Sequence, residues 1–162
     1  MEKSNYLCAT DCFLQNEYNE VLLIHRGKDK KILPGFYNGI GGQIEPNETP
    51  LEAIKREVKE ETGTNQINSL QLKGILTIKD KFGYWYIYIF IGTIQKERIE
   101  QITTPEGKLE WIKKSALKTK KLVPDLFPWI DLLWQDIQFF FAKVEYDNSY
   151  NLIGKVKINT IK

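Results

Sequence analysis

Three glutamates lie close together near the end of a predicted helix. Glu57, Glu60 and Glu61 occupy positions i, i+3 and i+4, so a helix would bring their carboxylates together. Like charges repel at this spacing, and the last turn of a helix disfavours anions by roughly 0.3–1 kcal/mol each. A hard divalent cation such as Mg²⁺ would relieve both costs, because it binds carboxylate oxygens and completes its shell with water and substrate phosphate. The alternative is a solvated acidic face balanced by neighbouring basic residues.

The helix that must position these glutamates has well-defined predicted ends. Thr49 is a predicted N-cap, Pro50 suits the first helical position, and Glu52 completes a capping box. Gly63 is predicted to end the helix in the left-handed conformation. An apolar stripe at helical spacing predicts that one face packs against a core, and it consists of Leu51, Ile54 and Val58.

The spacing of the charged and glycine residues around this helix resembles the Nudix box. That pattern is glycine, five residues, glutamate, seven residues, Arg-Glu, an aliphatic, any residue, Glu-Glu, any residue, glycine and an aliphatic. The matching positions are Gly42, Glu48, Arg56, Glu57, Val58, Glu60, Glu61 and Gly63. Seven fixed identities at roughly one in fifteen each make chance agreement on the order of one in a hundred million. Thr64 replaces the last aliphatic, a change that concerns packing behind the helix.

The resemblance to the Nudix family covers nearly the whole chain and implies an α/β (α+β) fold. The expected architecture is an α/β/α sandwich with a mixed β-sheet, in a single domain over residues 1–162. Strands are predicted over 6–14, 21–26, 70–79, 84–94 and 109–112, with a helical turn over 113–119 and a second helix over 125–135. A terminal hairpin is predicted from 139–146 and 152–158.

The same resemblance assigns roles to the box residues. Arg56 and Glu48 would form a pair that orients Glu57, and the general base would be Glu57 or Glu61. The implied cofactor is Mg²⁺, with Mn²⁺ as an alternative, and its implied ligands are Gly41, Glu57, Glu60, Glu61 and Glu106. Glu106 is preferred over Glu110 because its offset to Trp111 matches the loop glutamate of the family.

Three further segments, YNGIGGQIE, PEGKLEW and FFFAKVEYD, are similar to the MutT branch of the family. This similarity implies hydrolysis of a nucleoside triphosphate to a monophosphate and pyrophosphate, with oxidised purines such as 8-oxo-dGTP as substrates. Asn38 and Asp125 align with positions that hydrogen-bond the purine edge in that branch. Their alternative roles are a turn residue and a helix N-cap. Val123 stands where the mammalian homologue has a base-stacking tryptophan.

Other polar residues of the sequence are weaker candidates for the site. Arg26, at the predicted end of the second strand, is placed either to bind phosphate oxygens as a bidentate donor or to remain solvated. His25 is the only histidine and lies nearby, but the sequence offers no catalytic triad around it. Cys8 and Cys12 lack the partners of a zinc site and are expected to be reduced, buried thiols.

Composition limits the remaining classes of function. The net charge of +2 predicts no stable nucleic-acid partner. The longest apolar run, residues 84–91, is too short to span a membrane, and no signal pattern begins the chain, so a cytoplasmic protein without membrane association is expected. The sequence leaves the oligomeric state open.

The sequence also allows functions other than the MutT-like one to be compared with it. An ADP-ribose pyrophosphatase is disfavoured, because that subfamily carries a proline downstream of the box and this chain has none between Pro50 and Pro105. A pyrophosphatase of another nucleoside diphosphate-linked substrate, including RNA 5′-triphosphate, remains an alternative. So does a catalytically silent nucleotide-binding module, although the intact carboxylate set argues against it.

Overall fold

The computed structural model describes residues 5–162, and its centre is one mixed β-sheet. The strands are β1 (Tyr6–Gln15), β2 (Glu20–Arg26), β3 (Tyr37–Asn38), β4 (Ser69–Asp80), β5 (Gly83–Thr93), β6 (Gly107–Lys113), β7 (Phe139–Glu145) and β8 (Lys157–Ile161). Their order is β3-β2-β1-β5-β4-β7-β8, with β6 pairing along β2. The β1–β5 and β4–β7 pairs are parallel, and the other pairs are antiparallel.

Helices cover both faces of the sheet, as the α/β/α prediction requires. The long helix α1 (Pro50–Thr62) packs on one face, where Ile54 and Val58 join a buried cluster with residues of β1 and β2. The other face is covered by α2 (Leu126–Trp129) and the 3₁₀ turn that continues it (Ile130–Trp134). No helix among residues 5–162 combines the length and apolar character needed to cross a membrane.

The strands β1 and β2 separate soon after the turn that joins them. Only two residue pairs connect them, Leu14 with Leu22 and Gln15 with Val21. Beyond that point β1 pairs with β5 over its full length, whereas β2 pairs with β6. The segment 39–43 enters the gap and pairs with β1 through isolated bridges. A cleft therefore opens between two parts of one sheet, beside the start of α1.

Three details of the predicted elements are corrected by the structure. The helix predicted over 125–135 is a single α-turn followed by a 3₁₀ turn, because Trp129 has a φ of −120°. The final strand runs over Lys157–Ile161 rather than 152–158, because Gly154 adopts a left-handed φ of 71° and interrupts the extended chain. Leu51, predicted to face the core, is 46% exposed, and Ala53 is buried in its place on α1.

Candidate active site

The helix α1 has the predicted ends. The Thr49 hydroxyl accepts a hydrogen bond from the Glu52 backbone N–H (3.2 Å), and the Glu52 carboxylate accepts one from the Thr49 N–H (2.8 Å). Gly63 ends the helix with a φ of 81°, a left-handed conformation that glycine adopts without strain. Because both ends are fixed, the register of the glutamates on the helix is fixed as well.

The glutamates Glu57, Glu60 and Glu61 lie in different environments. A uniformly solvated acidic face would instead expose all three side chains. Glu61 is 6% exposed and Glu57 is largely buried, and both line the cleft. The Glu60 side chain is 58% exposed and lies 3.4 Å from Arg56. The helix thus directs two carboxylates into the cleft and leaves the third at its rim.

Arg56 holds the carboxylates of Glu48 and Glu57 together. Its Nε and Nη2 donate to the two Glu48 oxygens at 2.7 and 2.9 Å, and its Nη1 donates to Glu57 Oε1 at 2.8 Å. Nη2 also donates to the Gln43 carbonyl at 3.1 Å. The guanidinium lowers the pKa of Glu48 to about 2. The predicted Arg56–Glu48 pair is therefore present, and it fixes one oxygen of Glu57.

The glycine turn before α1 packs directly against these groups. Thr10 N–H donates to the Gly42 carbonyl at 2.9 Å, which fastens the turn to β1. A Cβ on Gly41 would lie 2.0 Å from the Thr10 carbonyl oxygen, and one on Gly42 would lie 2.4 Å from Glu57 Oε1. Only glycine fits at either position, so the Gly41 backbone can lie beside the glutamate carboxylates.

Burial and neighbouring charges make Glu61 an unusual carboxyl group. Burial raises its pKa to about 9, and the carboxylates of Glu57, Asp11 and Glu106 add to the effect. Its Oε2 is buried and has no hydrogen-bond partner among residues 5–162. Burial also raises the pKa of Glu57, partly offset by Arg56. A cation would satisfy the free oxygen and remove the electrostatic cost of ionising both groups.

The residues present fit a divalent cation that keeps water or phosphate ligands. Within the described part of the chain, no three carboxylate, histidine or cysteine side chains converge closely enough to enclose an ion. A hard cation such as Mg²⁺ does not require such an enclosure, because it takes one or two carboxylates and completes its octahedron with water and substrate oxygens. Glu57, Glu61, Glu106 and the backbone of Gly41 line the cleft and are available to it.

The raised pKa of Glu61 predicts a stability that falls as pH rises. Folded Glu61 keeps its proton up to about pH 9, whereas the unfolded chain loses it near the ordinary value of 4.5. The folded state therefore binds more protons in this window, and metal-free protein should melt at progressively lower temperature from pH 5 to pH 9. Thermal denaturation in EDTA measures this directly.

Two variants test that prediction. In Glu61→Gln the melting temperature should fall less between pH 5 and pH 9 than in the wild type. In Glu97→Gln, an exposed control, it should fall as in the wild type. Added Mg²⁺ should stabilise the wild type more at pH 8.5 than at pH 6, because metal binding requires the deprotonated carboxylate. A Glu61→Gln profile that matches the wild type would show that this carboxyl ionises normally.

The opposite wall of the cleft carries basic side chains. Arg26 donates through Nε to the Ile32 carbonyl at 3.1 Å, and its Nη1 lies 3.5 Å from Glu106. Lys30 Nζ lies 3.4 Å from the other Glu106 oxygen. Arg26 and Glu106 both line the cleft, so Arg26 is not simply a solvated residue at a strand end.

Glu110 and His25 belong to the sheet rather than to the cleft. Glu110 accepts a hydrogen bond from the Tyr37 hydroxyl at 2.9 Å and lies 3.3 Å from His25 Nδ1. The His25 ring stacks on Tyr37 with 4.3 Å between ring centres. The geometry therefore agrees with the preference for Glu106 over Glu110 as the carboxylate near the box glutamates.

The residues predicted to read a base lie at the other end of the cleft. Asn38 lines it from β3, and its Oδ1 has no partner in the described chain. Asp125 is buried and accepts from the Tyr146 hydroxyl at Oδ1 and from Trp129 Nε1 at Oδ2 (3.3 Å). Asp125 occupies the N-cap position of α2, as the alternative role predicted, but its side chain makes no capping hydrogen bond. Val123 is also part of the wall.

Asp11 is a cleft residue that the sequence-based reasoning missed. It lies on β1, is 7% exposed, and has an Oδ1 without a partner within residues 5–162. Burial, together with the charge of Asp125, raises its pKa well above the ordinary value. The signal was present, because Asp11 is the only charged residue in the strand sequence YLCATDCFLQ, and a lone acid in a buried strand requires a partner. Cys8, expected to be buried, is exposed.

The cleft connects the glutamates of α1 with the Asn38 and Asp125 end in one cavity of about 880 Å³. This volume suits a small-molecule site, for which roughly 300–1,000 Å³ is usual. All of the buried side-chain polar atoms found without a hydrogen-bond partner in residues 5–162 belong to residues of this cavity, namely Asp11, Asn38, Glu61, Trp85 and Tyr150. Polar groups that need partners are thus concentrated where a ligand would lie.

The fold and the site define an enzyme that hydrolyses phosphoric anhydrides. The NUDIX domain model matches residues 6–133, and the chain belongs to the Nudix hydrolase family. Nudix hydrolases include enzymes that act on nucleotide-linked substrates, and they generally use divalent metal ions, typically Mg²⁺ or Mn²⁺. The family prediction made from the box is therefore confirmed.

Individual relatives support the assignment to this family, and their names refer to different substrates. An uncharacterized Nudix hydrolase of Bacillus subtilis, YvcI, is 29% identical over 152 residues, which are 90% of each chain. A human 8-oxo-dGDP phosphatase is 27% identical over 124 residues, 74% of this chain and 36% of that protein. A rat relative is named for a diphosphoinositol polyphosphate. The crystal structure of a mutator MutT protein from Bacillus halodurans, 26% identical, superposes with a TM-score of 0.79 and covers 94% of this chain and 97% of its own.

Proposed function

We propose that this enzyme hydrolyses a nucleoside triphosphate to a nucleoside monophosphate and pyrophosphate with Mg²⁺, and that it removes oxidised purine nucleotides such as 8-oxo-dGTP. The observation that carries the proposal is the continuity of the cleft. Glu57 and Glu61 line the same cavity as Asn38 and Asp125. Such a cleft suits a ligand with a phosphate end and a base end. The MutT relative and the human 8-oxo-dGDP phosphatase add support.

The proposed metal ligands are the carboxylates and carbonyl named from the family, namely Gly41, Glu57, Glu60, Glu61 and Glu106. A bound Mg²⁺ would neutralise phosphate oxygens and lower the pKa of water. Mn²⁺ has the same ligand preferences and is the alternative.

The side chains of the cleft then have separate tasks in the reaction. Water forms a bond to a phosphorus of the triphosphate, the bond from that phosphorus to a bridging oxygen breaks, and pyrophosphate and the monophosphate separate. Glu57 or Glu61 accepts the proton of the attacking water. Arg56 and Glu48 hold Glu57 in place for this step. Arg26, which lines the cleft beside Glu106, offers donors to phosphate oxygens, and Lys30 contacts the other Glu106 oxygen.

A substrate panel tests the proposal. Release of pyrophosphate or phosphate with Mg²⁺ is measured for 8-oxo-dGTP, dGTP, the other nucleoside triphosphates, ADP-ribose, dinucleoside polyphosphates and RNA 5′-triphosphate. A strong preference for 8-oxo-dGTP is expected. If another compound is preferred, that compound is the substrate. If RNA 5′-triphosphate is preferred, activity on it should fall steeply as the salt concentration rises. Absence of turnover throughout would favour the nucleotide-binding module.

Asn38 is expected to contribute to base preference. The Asn38→Ala variant removes an unpartnered amide that can both donate and accept, so the preference between 8-oxo-dGTP and dGTP should narrow by about tenfold. The ratio of the two kcat/KM values is the measurement. Asn148→Ala, at an exposed position, is the matched control. If the ratio for Asn38→Ala equals the wild-type ratio, Asn38 does not contribute to base preference.

A further inference from the structure

The carboxyl group of Asp11 lies inside the cleft with one free oxygen. Asp11 is on the face of β1 that also presents Leu7 and Ala9 to the cavity. The residue is 7% exposed, and its Oδ1 has no donor among the described residues. A buried acceptor without a donor destabilises the folded state, and a ligand in the cavity would supply the missing donor.

The surroundings of Asp11 place it at the base end of the cleft. A Cβ on Gly39 would lie 2.1 Å from Asp11 Oδ1, so the backbone next to Asn38 packs directly against the carboxyl group. Asp125 is close enough for its charge to affect the ionisation of Asp11. Asp11 therefore joins Asn38 and Asp125 in one polar group, and this group extends to Glu61, whose pKa the Asp11 charge raises.

Asp11 is more available to a ligand than Asp125. Both oxygens of Asp125 already accept hydrogen bonds, one from the Tyr146 hydroxyl and one from the Trp129 indole. Among the described residues, Asp11 Oδ1 and Asn38 Oδ1 are free acceptors here, and the Tyr150 hydroxyl beside Tyr146 is also without a partner. Two free acceptors on adjacent walls suit a base edge that displays neighbouring N–H donors. A guanine-type base has this pattern in its ring N1–H and its 2-amino group.

We propose that Asp11 binds the substrate and sets its base preference, with Oδ1 accepting a hydrogen bond from an N–H group of a guanine-type base. The inference rests on the proposed function, because it takes the cavity to be a nucleotide site. It assigns to β1 a specificity residue outside the Nudix box, and it gives Asp125 the supporting role of anchoring Tyr146 and Trp129.

Binding of nucleoside monophosphates without metal tests this assignment separately from catalysis. Affinities for dGMP, dIMP and dAMP are measured in EDTA by titration calorimetry, for the wild type and for Asp11→Val and Asp11→Asn. The wild type should bind dGMP most tightly. Asp11→Val should reduce the preference for dGMP over dAMP by about tenfold or more, the usual effect of losing a hydrogen bond to a charged or buried partner. Binding of dIMP shows whether the 2-amino group is the donor.

Thermal stability is the second readout, because a purely structural role predicts the opposite change. Ligand-free Asp11→Val and Asp11→Asn should melt about 2–4 °C higher than the wild type, since they remove an unpartnered buried carboxyl. Asp125→Asn should melt lower, because it weakens the contacts with Tyr146 and Trp129. The ratio of the dGMP and dAMP affinities decides the proposal, because partial unfolding would weaken the binding of all three nucleotides equally.

The outcomes separate this inference from the proposed function. A wild-type preference for dGMP that disappears in Asp11→Val supports the inference even if no triphosphate is hydrolysed, in which case only the proposed reaction fails. Equal wild-type affinities for dGMP and dAMP, or an unchanged ratio in Asp11→Val, would overturn the role of Asp11 even if 8-oxo-dGTP is hydrolysed.

Discussion

Glu57→Gln is expected to lower kcat by about a thousandfold or more while the protein remains folded. The carboxylate is largely buried in the cleft, and Arg56 fixes one of its oxygens at 2.8 Å. The amide has nearly the same shape but neither the charge to bind a cation nor the basicity to accept a proton. Loss of a general base alone costs about 10²–10⁴ in rate, and loss of a metal ligand adds to it.

The measurement is steady-state hydrolysis with saturating Mg²⁺, on the best substrate of the panel, accompanied by a thermal melt. Glu60→Gln should also reduce turnover by orders of magnitude if Glu60 is a metal ligand. Because its side chain is 58% exposed, this variant should leave the melting temperature almost unchanged. Glu97→Gln is the control for loss of an exposed glutamate on the surface. Near wild-type rates for both Glu57→Gln and Glu60→Gln would refute the catalytic assignment.

Arg56→Lys is expected to lower kcat/KM by about a hundredfold despite conserving the positive charge. The guanidinium donates to both oxygens of Glu48, to Glu57 and to the Gln43 carbonyl at the same time. A lysine has one nitrogen and cannot occupy these directions together. Glu57 would lose its fixed orientation, and a misplacement of about 1 Å can cost 10²-fold in rate.

Separate values of kcat and KM, with Mg²⁺ titrated for each variant, distinguish positioning from simple charge loss. Arg98→Lys is the matched control, because Arg98 is exposed on the surface. If Arg56→Lys retains the wild-type kcat/KM, a positive charge at this position is sufficient for activity, and the several hydrogen bonds of the guanidinium are not required. Glu48→Gln should produce a smaller defect in the same direction, because it removes the charge that holds Arg56.

Local sequence signals predicted the helix and its carboxylates well. The capping residues Thr49 and Glu52 and the terminal Gly63 act within α1 itself, so their effect can be recognised without knowledge of the tertiary structure. The Arg56–Glu48 pair also lies within one short segment. By contrast, sequence alone placed Leu51 in the core, and helical periodicity does not show how far the covering surface extends.

The base end of the cleft was harder to predict because its contacts join distant parts of the chain. Asp125 is held by Tyr146, and Asp11 faces Gly39, so neither environment follows from local spacing. The terminal strand was misplaced for a local reason instead. Apolar residues occur both before and after Gly154, and the left-handed turn at this glycine separates them, so that only the later stretch pairs with β7.

The parallel pairing of β1 with β5 has a consequence for how the protein is made. Tyr6 pairs with Tyr84 and Gln15 with Thr93, whereas the antiparallel contact between β1 and β2 is limited to two residue pairs. Until β5 has been synthesised, β1 is held in the sheet, among the described residues, only by its two residue pairs with β2 and by its bridges to segment 39–43. Non-local contacts such as those of β1 with β5 slow folding, because the loop-closure entropy is lost before the contacts form. Nascent chains that end before residue 83 should accordingly remain protease-sensitive, even though they already contain the complete Nudix box.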